Sequence, residues 1–460
     1  MVSIKALFCA SEIAPFAKTG GLADVAGSLP LELAKLGVQV RLVMPRYRGV
    51  PFSKKRLAKN VEIRCVEHEA YFNRSGLYGH GKGDYPDNLE RFSYFCGQAL
   101  LEAKADGFRP DIVHAHDWQT ALLPVLLKTK FLPDPFFKKT KSVLTIHNLA
   151  YQGHFPAHQF GELDLDGGLF SVGAFEFYGK INLLKAGIIF ADRLNTVSPT
   201  YAEEAETKEY GFGLEGVVKN RRAVFKGILN GIDTLLWNPV TDRHIAKRFS
   251  ASNPSGKAGC KAVLQKTYGL KPDPEVPVFS FVSRLAEQKG VDILAEAADE
   301  LLSKKIQLVI LGEGDAVYHT RFKNIGARHP GNSKVILGFD PHRAHEIYAG
   351  ADFFLMPSLF EPCGLGQLIS FRYGTLPVAR ATGGLMDTVV DYGADSRRGN
   401  GFVFQDRSAA ALLKAVDRAR AAYEDRQLMR RLRARAMKLD FSWAKSAREY
   451  LEFYKEAVRS

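Results

Sequence analysis

The chain is poor in cysteine, with five in 460 residues, and these stand far apart at Cys9, Cys65, Cys96, Cys260 and Cys363. The count is odd and no Cys-x-x-Cys occurs, which argues against a disulfide framework and against a zinc site of ordinary spacing. Most of these thiols read as small buried hydrophobes. No apolar run approaches the roughly 18–20 residues needed to span a bilayer, so no membrane partner is expected. The start, Met1 to Lys5, enters a strand-like segment directly, without a basic region and signal-type apolar stretch. That pattern points to a cytoplasmic chain. There is no short repeat and no low-complexity tract. Zinc-finger spacing, RNA-recognition signatures and aromatic-interleaved basic runs are all missing, so nucleic acid is not an expected partner despite a net charge of +13. The Asp-x-Asp at Asp164–Asp166 lies in a glycine-bounded, loop-like stretch, not between strands, and no metal is expected there.

What is present is the composition of a water-exposed globular protein, 46% hydrophobic and 25% charged, long enough for two or three domains. Short apolar runs alternate with helical patterns and end in polar clusters. Ile4–Ala10, Val38–Met44, Ile112–Ala115, Ser142–Ile146, Arg193–Val197 and Arg222–Ile228 form one series. A polar, turn-rich stretch from Trp237 to Gly256 interrupts it as a linker. A second series follows at Val278–Val282, Ile306–Leu311, Lys334–Leu337, Phe353–Met356 and Leu376–Ala379. This is the pattern of parallel α/β sheets, which place functional groups at strand C-termini. Two such sheets facing each other would leave a cleft for ligands. Much of the positive charge sits between Arg397 and Arg435, where Leu428, Met429 and Leu432 keep a helical stripe, so a solvated helix face is expected.

Several strand-end clusters suit a phosphorylated ligand. Lys18-Thr19-Gly20-Gly21-Leu22-Ala23-Asp24 follows the first strand and opens a helix from Leu22 to Leu36. Such a turn either offers its N–H groups and the helix dipole to an anion or is simply a tight connection. It is neither a Walker loop nor Gly-x-Gly-x-x-Gly. Thr382-Gly383-Gly384 is a second turn of the same kind. Arg284 and Lys289 offer a planar fork and a compact charge to a diphosphate. Glu361, beside Pro362, reads either as a group for sugar hydroxyls and developing positive charge or as a helix cap. His147 and Asp117 also follow strands; the first reads as a ligand contact or a satisfied core histidine, the second as a cleft residue or a cap.

Taken in order, these segments resemble bacterial glycogen synthases and plant starch synthases, the family 5 glycosyltransferases. The resemblance rests on Lys18–Val25, His114-Ala115-His116-Asp117-Trp118, Ile146–Gly153, Thr196–Ala202, Leu229–Asp233, Trp237-Asn238-Pro239, Arg284–Gly290, Phe360–Leu365 and Thr382–Leu385. It implies a GT-B fold, an α/β architecture of two facing Rossmann-like doubly wound domains with an interdomain active-site cleft. The expected domains are an N-terminal, acceptor-side domain over residues 1–240 and a nucleotide-sugar-binding domain over 241–440. A terminal helix over 441–460 is expected to return to the first domain, with Trp443, Ala447, Tyr450, Leu451 and Tyr454 on one face. The resemblance further implies retaining transfer of glucose from ADP-glucose to the non-reducing end of an α-1,4-glucan such as glycogen, without metal or other cofactor.

In family terms Lys18 contacts the diphosphate near Gly20 and Gly21, Arg284 and Lys289 stabilise the leaving group, and His147 and Glu361 lie at the donor glucose. Asp24, Asp117 and Asn230 line the cleft, Gly383 and Gly384 form the second nest, and Cys363 falls near the acceptor side or is a buried thiol without a role. Related sucrose- and mannosyl-transferring enzymes often carry a second Glu eight residues after the first; here Ile369 stands there. Other readings kept open are a UDP-glucose donor, a different acceptor sugar, and a non-catalytic glucan-binding protein.

Overall fold

In the computed structural model, residues 4–80 and 83–460 are described, and the chain divides into two compact units. The first comprises residues up to Gly231 together with Trp443–Ser460, the second Ile232–Ser442.

The sheet of the first unit contains β1 (Lys5–Cys9), β2 (Gln39–Pro45), β3 (Lys54–Ala58), β4 (Val61–Val66), β5 (Ile112–His116), β6 (Lys141–Ile146), β7 (Arg193–Thr196) and β8 (Phe225–Gly227). Their spatial order is β8-β7-β6-β5-β1-β2-β4-β3. All pairs are parallel except β3 with β4. Ala6 to Cys9 of β1 are fully buried. That is why this strand reads as an unbroken apolar run: helices cover both faces of a parallel sheet. The edge strand β3 opens with Lys54, Lys55 and Arg56, charges that discourage pairing with another chain. The expected strand over Arg222–Ile228 shortens to Phe225–Gly227, because Arg222–Val224 closes a turn of 3₁₀ helix. Within it Arg222 pairs with Glu206, and the preceding Arg221 donates to the Ala191 carbonyl.

The terminal helix, Trp443–Arg459, belongs to this unit and packs on the helix Gly21–Lys35 and on β5 and β6. Trp443, Ala447, Tyr450 and Tyr454 are buried, while Leu451 is partly exposed. The helix also makes polar contacts inside the sheet. The Tyr454 hydroxyl lies 2.6 Å from His114 Nδ1, Asn195 Nδ2 donates to the Tyr450 hydroxyl at 2.9 Å, and Ser446 Oγ donates to the Leu229 carbonyl at 2.6 Å.

The second unit holds β9 (Val278–Val282), β10 (Gln307–Gly312), β11 (Ser333–Leu337), β12 (Phe353–Met356), β13 (Leu376–Arg380) and β14 (Phe402–Phe404), all parallel, in the order β11-β10-β9-β12-β13-β14. Counted from its own first strand, this is 3-2-1-4-5-6, the doubly wound dinucleotide-binding order.

The arginine-rich stretch is less solvated than its composition suggests. Leu428, Met429 and Leu432 of the helix Arg426–Met437 are buried as expected. Arg433, however, pairs with buried Asp352. Asp352 also meets Lys261 at 2.9 Å and accepts from the Val278 N–H at 2.9 Å. One carboxylate thus joins the start of β9 to two helices. Burial works to raise its pKa, but Lys261, Arg433 and the Val278 N–H together hold it below the usual range. Asp352→Ala takes the shared carboxylate from buried Lys261 and half-buried Arg433 and is expected to destabilise the second unit by about 3–5 kcal/mol, read from its denaturant midpoint; an unchanged midpoint would show that the cluster is dispensable.

Candidate active site

In a parallel sheet, ligands favour the crevice where the strand order reverses, beyond the strand C-termini. In the first unit that reversal lies between β1 and β5. The segment after β1 carries Glu12, Lys18, Gly20, Gly21 and Asp24; the segment after β5 begins with Asp117; His147 follows the next strand, β6.

The N–H groups of the Gly-Gly loop meet a carboxylate of the protein itself. The N–H of Thr19 and, at 3.2 Å, that of Gly20 both donate to the Glu12 carboxylate. Thr19 Oγ1 at 2.6 Å and the Tyr78 hydroxyl at 2.7 Å donate to the same group. Glu12 and Tyr78, which brace this loop, were not singled out by sequence reasoning, since neither belongs to the glycine turn itself. Lys18 pairs with Asp24 at 2.6 Å on the partly exposed rim. A Cβ at Gly20 would meet nothing within 4 Å, and its φ of −150° suits any residue. Neither packing nor backbone therefore requires glycine at position 20, and the space above it is open. Gly21 begins the helix.

Asp117 has a φ of 55°, a left-handed conformation that a short polar side chain tolerates. Its carboxylate accepts from the His147 N–H at 2.6 Å and from the Asn148 N–H, so it ties the β6 loop and is not a side-chain cap on its own short helix. Burial pushes the Asp117 carboxyl up to about 7, against the opposing pull of those two N–H groups. Burial also pushes the His147 imidazole down to about 3, so the ring is neutral at physiological pH. Its Nε2 lies 3.0 Å from Nδ1 of buried His116. Asn230 follows β8, is buried, and has no hydrogen-bond partner for Oδ1 among the described residues.

In the second unit the order reverses between β9 and β12. The loop after β9 carries Arg284 and Lys289; the loop after β12 carries Ser358, Glu361 and Cys363. Gly290, at φ 69°, sits so close that a Cβ would fall 1.9 Å from the Pro357 carbonyl oxygen. The Leu359 N–H donates to the Gln288 carbonyl at 2.9 Å. These two contacts lock the loops together and place Lys289 Nζ 2.8 and 2.7 Å from the two oxygens of Glu361. Ser358 Oγ donates to Glu361 at 3.1 Å. Glu361 is only 6% exposed at its side chain and Lys289 18%, so this ion pair is largely shielded from water. Glu361 does not cap the following helix, whose N-cap is Leu365. A cavity of about 60 Å³ opens beside Lys289, Ser358, Glu361 and Gly364.

Arg284 is exposed and donates to Gln288 at 3.1 Å. Gly383 has a φ of 45°. Gly384 lies against Cys363, where a Cβ would approach the carbonyl oxygen to 2.3 Å, and its N–H donates to the Glu361 carbonyl at 3.0 Å. The second Gly-Gly turn therefore braces the Glu361 loop. Cys363 is buried. Asp164 pairs with Lys130, and Asp166 accepts from the Gly168 N–H at 2.8 Å, which accounts for both carboxylates of the Asp-x-Asp.

The raised Asp117 pKa carries a sign. Between about pH 4 and 7 the folded state holds a proton that the unfolded state has lost, so stability contributed at this site falls as pH rises through that window and is level above it. Asp117→Asn keeps the left-handed backbone and an acceptor. Its melting temperature relative to wild type is expected to rise from pH 4.5 to pH 7.5; a constant difference would contradict the raised pKa.

Residues 5–220 match the family model described as the starch synthase catalytic domain, and residues 268–438 match the one described as glycosyl transferases group 1. The chain is 46% identical to the glycogen synthase of Syntrophotalea carbinolica, covering 98% of both chains. It is 46% identical to that of Geotalea uraniireducens, covering 99% of both. Its structure superposes on the catalytic domain of starch synthase IV from Arabidopsis thaliana, solved bound to ADP and acarbose, with a TM-score of 0.93, 33% identity and complete coverage of both chains. A sucrose-phosphate synthase from Thermosynechococcus elongatus shares the fold at 18% identity and a TM-score of 0.65. Among the described residues no helix is long and apolar enough to cross a membrane. The chain belongs to the glycogen synthase and starch synthase family of glucosyltransferases, and its two parallel α/β units are those of the GT-B fold.

Proposed function

We propose that the protein transfers glucose from ADP-glucose to the non-reducing end of an α-1,4-glucan, with retention at the anomeric carbon and without a metal or other cofactor. The observation that carries this reading is the shielded Lys289–Glu361 pair at the strand-order reversal of the second unit. An ammonium has three donors, so Lys289 can keep Glu361 and still reach a diphosphate oxygen. Arg284 adds a second charge to the same departing group. As the bond from the anomeric carbon to the diphosphate breaks, negative charge grows on the diphosphate and positive charge on the sugar. Lys289 and Arg284 answer the first, Glu361 the second. The acceptor hydroxyl enters on the face from which ADP leaves and passes its proton to the departing diphosphate oxygen. In the first unit, Lys18 and the turn at Gly20-Gly21 are assigned to the diphosphate and His147 to the donor glucose; Asp24, Asp117 and Asn230 are assigned to the surrounding cleft. In the second unit, Cys363 is assigned to the acceptor side.

The test is incorporation of labelled glucose into glycogen, with ADP-glucose and UDP-glucose compared in EDTA. Strong transfer from ADP-glucose alone is expected; transfer mainly from UDP-glucose would overturn the donor, and none from either would favour a glucan-binding protein. Lys289→Gln, which keeps a donor for Glu361 while removing the charge, is expected to lower kcat by about 100-fold or more. Lys289→Ala is a poorer probe, because it removes the hydrogen-bond donor to the buried Glu361 carboxylate as well as the charge. Gly20→Ala is expected to leave the melting temperature unchanged, since a methyl there meets nothing, while raising KM for the donor. Equal KM for this variant and wild type would remove the loop from donor binding.

A further inference from the structure

Two neutral imidazoles meet beneath the first unit's candidate site, and only one proton can lie between them. His116 ends β5 and is fully buried; His147 follows β6, which pairs in parallel with β5. Nδ1 of His116 and Nε2 of His147 are 3.0 Å apart. Burial holds both rings neutral. In each ring one nitrogen therefore donates and the other accepts.

The surroundings of His116 decide the direction. Its ring packs against Phe8, at a centroid distance of 4.2 Å, and against His114, at 4.1 Å. Neither offers it a hydrogen bond. Both nitrogens of His114 are engaged elsewhere, Nδ1 with the Tyr454 hydroxyl and Nε2 with Thr145 Oγ1, each at 2.6 Å. His116 Nε2 is buried without a hydrogen-bond partner among the described residues. If His147 donated across the pair, His116 would have to carry its proton on Nε2, as an N–H buried with no acceptor. The opposite arrangement leaves only an unused lone pair there. Orphaned buried N–H groups are the rarer outcome in folded proteins, and under-satisfied acceptors are better tolerated.

We infer that His116 is a positioning residue: its Nδ1–H donates to His147 Nε2, fixes His147 as the Nδ1–H tautomer, and so makes His147 a hydrogen-bond donor toward a sugar hydroxyl. This rests on the reading that His147 contacts the donor glucose. As with a metal-bound histidine, the hydrogen bond made by one ring nitrogen sets what the other can do, here toward a hydroxyl. It also gives the His114–Tyr454 contact a purpose. With both His114 nitrogens occupied by Thr145 and the terminal helix, the His116 proton has His147 as its partner.

The test uses the full chain labelled with ¹⁵N-histidine. Long-range ¹H–¹⁵N correlation at pH 7, with the His147 signals identified by their loss in His147→Gln, reads the tautomer directly. A protonated Nδ1 and a bare Nε2 on His147 are expected; a protonated Nε2 overturns the inference. His116→Asn places an amide N–H near the position of Nδ1 and is expected to retain the tautomer and most of kcat. His116→Phe keeps ring volume without a donor and is expected to mix the tautomers and lower kcat by about 10- to 100-fold. Equal losses in both variants with an unchanged His147 tautomer would reduce His116 to a packing residue. Undiminished glucose transfer by His147→Ala would instead sink the reading of His147 as a substrate contact, and the wild-type spectrum would still decide the tautomer.

Discussion

The chemistry of this protein depends on a constraint of parallel sheets. Every strand must be left by a crossover, so all strand C-termini in one sheet deliver their loops to the same edge. Where the strand order reverses, two such loops diverge and leave a crevice. In the first unit the reversal gathers the Glu12-to-Asp24 segment and Asp117; in the second it gathers Lys289 and Glu361. In each crevice the two loops come from distant parts of the chain. Lys289 and Glu361 are 72 positions apart, yet they make a two-oxygen ion pair.

Charge inside these crevices is handled by prior pairing. An ionised carboxylate as buried as Glu361 is costly unless neutralised, and Lys289 and Ser358 supply that compensation. Glu12 plays the corresponding part in the first unit, where it takes up two loop N–H groups, a threonine hydroxyl and a tyrosine hydroxyl. The loop is therefore held in one shape by a carboxylate of the protein itself.

The terminal helix shows how a distant segment supports the strands that carry the candidate-site loops. Its apolar face covers the sheet, as its periodicity requires. Its two tyrosines also enter a buried polar chain through His114, Thr145 and Asn195. Buried polar groups of this kind stabilise only when each finds its partner. The chain therefore fixes the helix in register and restricts the hydrogen bonds open to the neighbouring histidine.

The amino-acid sequence by itself determined much of the architecture. Strands β1, β2, β5, β6 and β9 to β13 are legible because a strand buried on both faces is largely apolar, β7 less so because the buried polar residues Asn195 and Thr196 lie in it, and the terminal helix because one covered face must be apolar. The glycine turns, Lys289, Glu361 and His147 stand out because polar clusters follow such strands. The hairpin of β3 and β4 and the short edge strand β14 gave weaker signals, since edges tolerate charge and carry few residues. Tertiary structure alone decided the partnerships. Glu12 is an ordinary glutamate until a turn eight residues on directs its N–H groups back at it. Arg433 belongs to a basic helix until Asp352 meets it from another element. His116 is one histidine in a short motif until folding removes every partner except His147. Composition and periodicity record which residues are buried, but hydrogen bonds and ion pairs between distant residues are set by geometry that forms only when the sheet does.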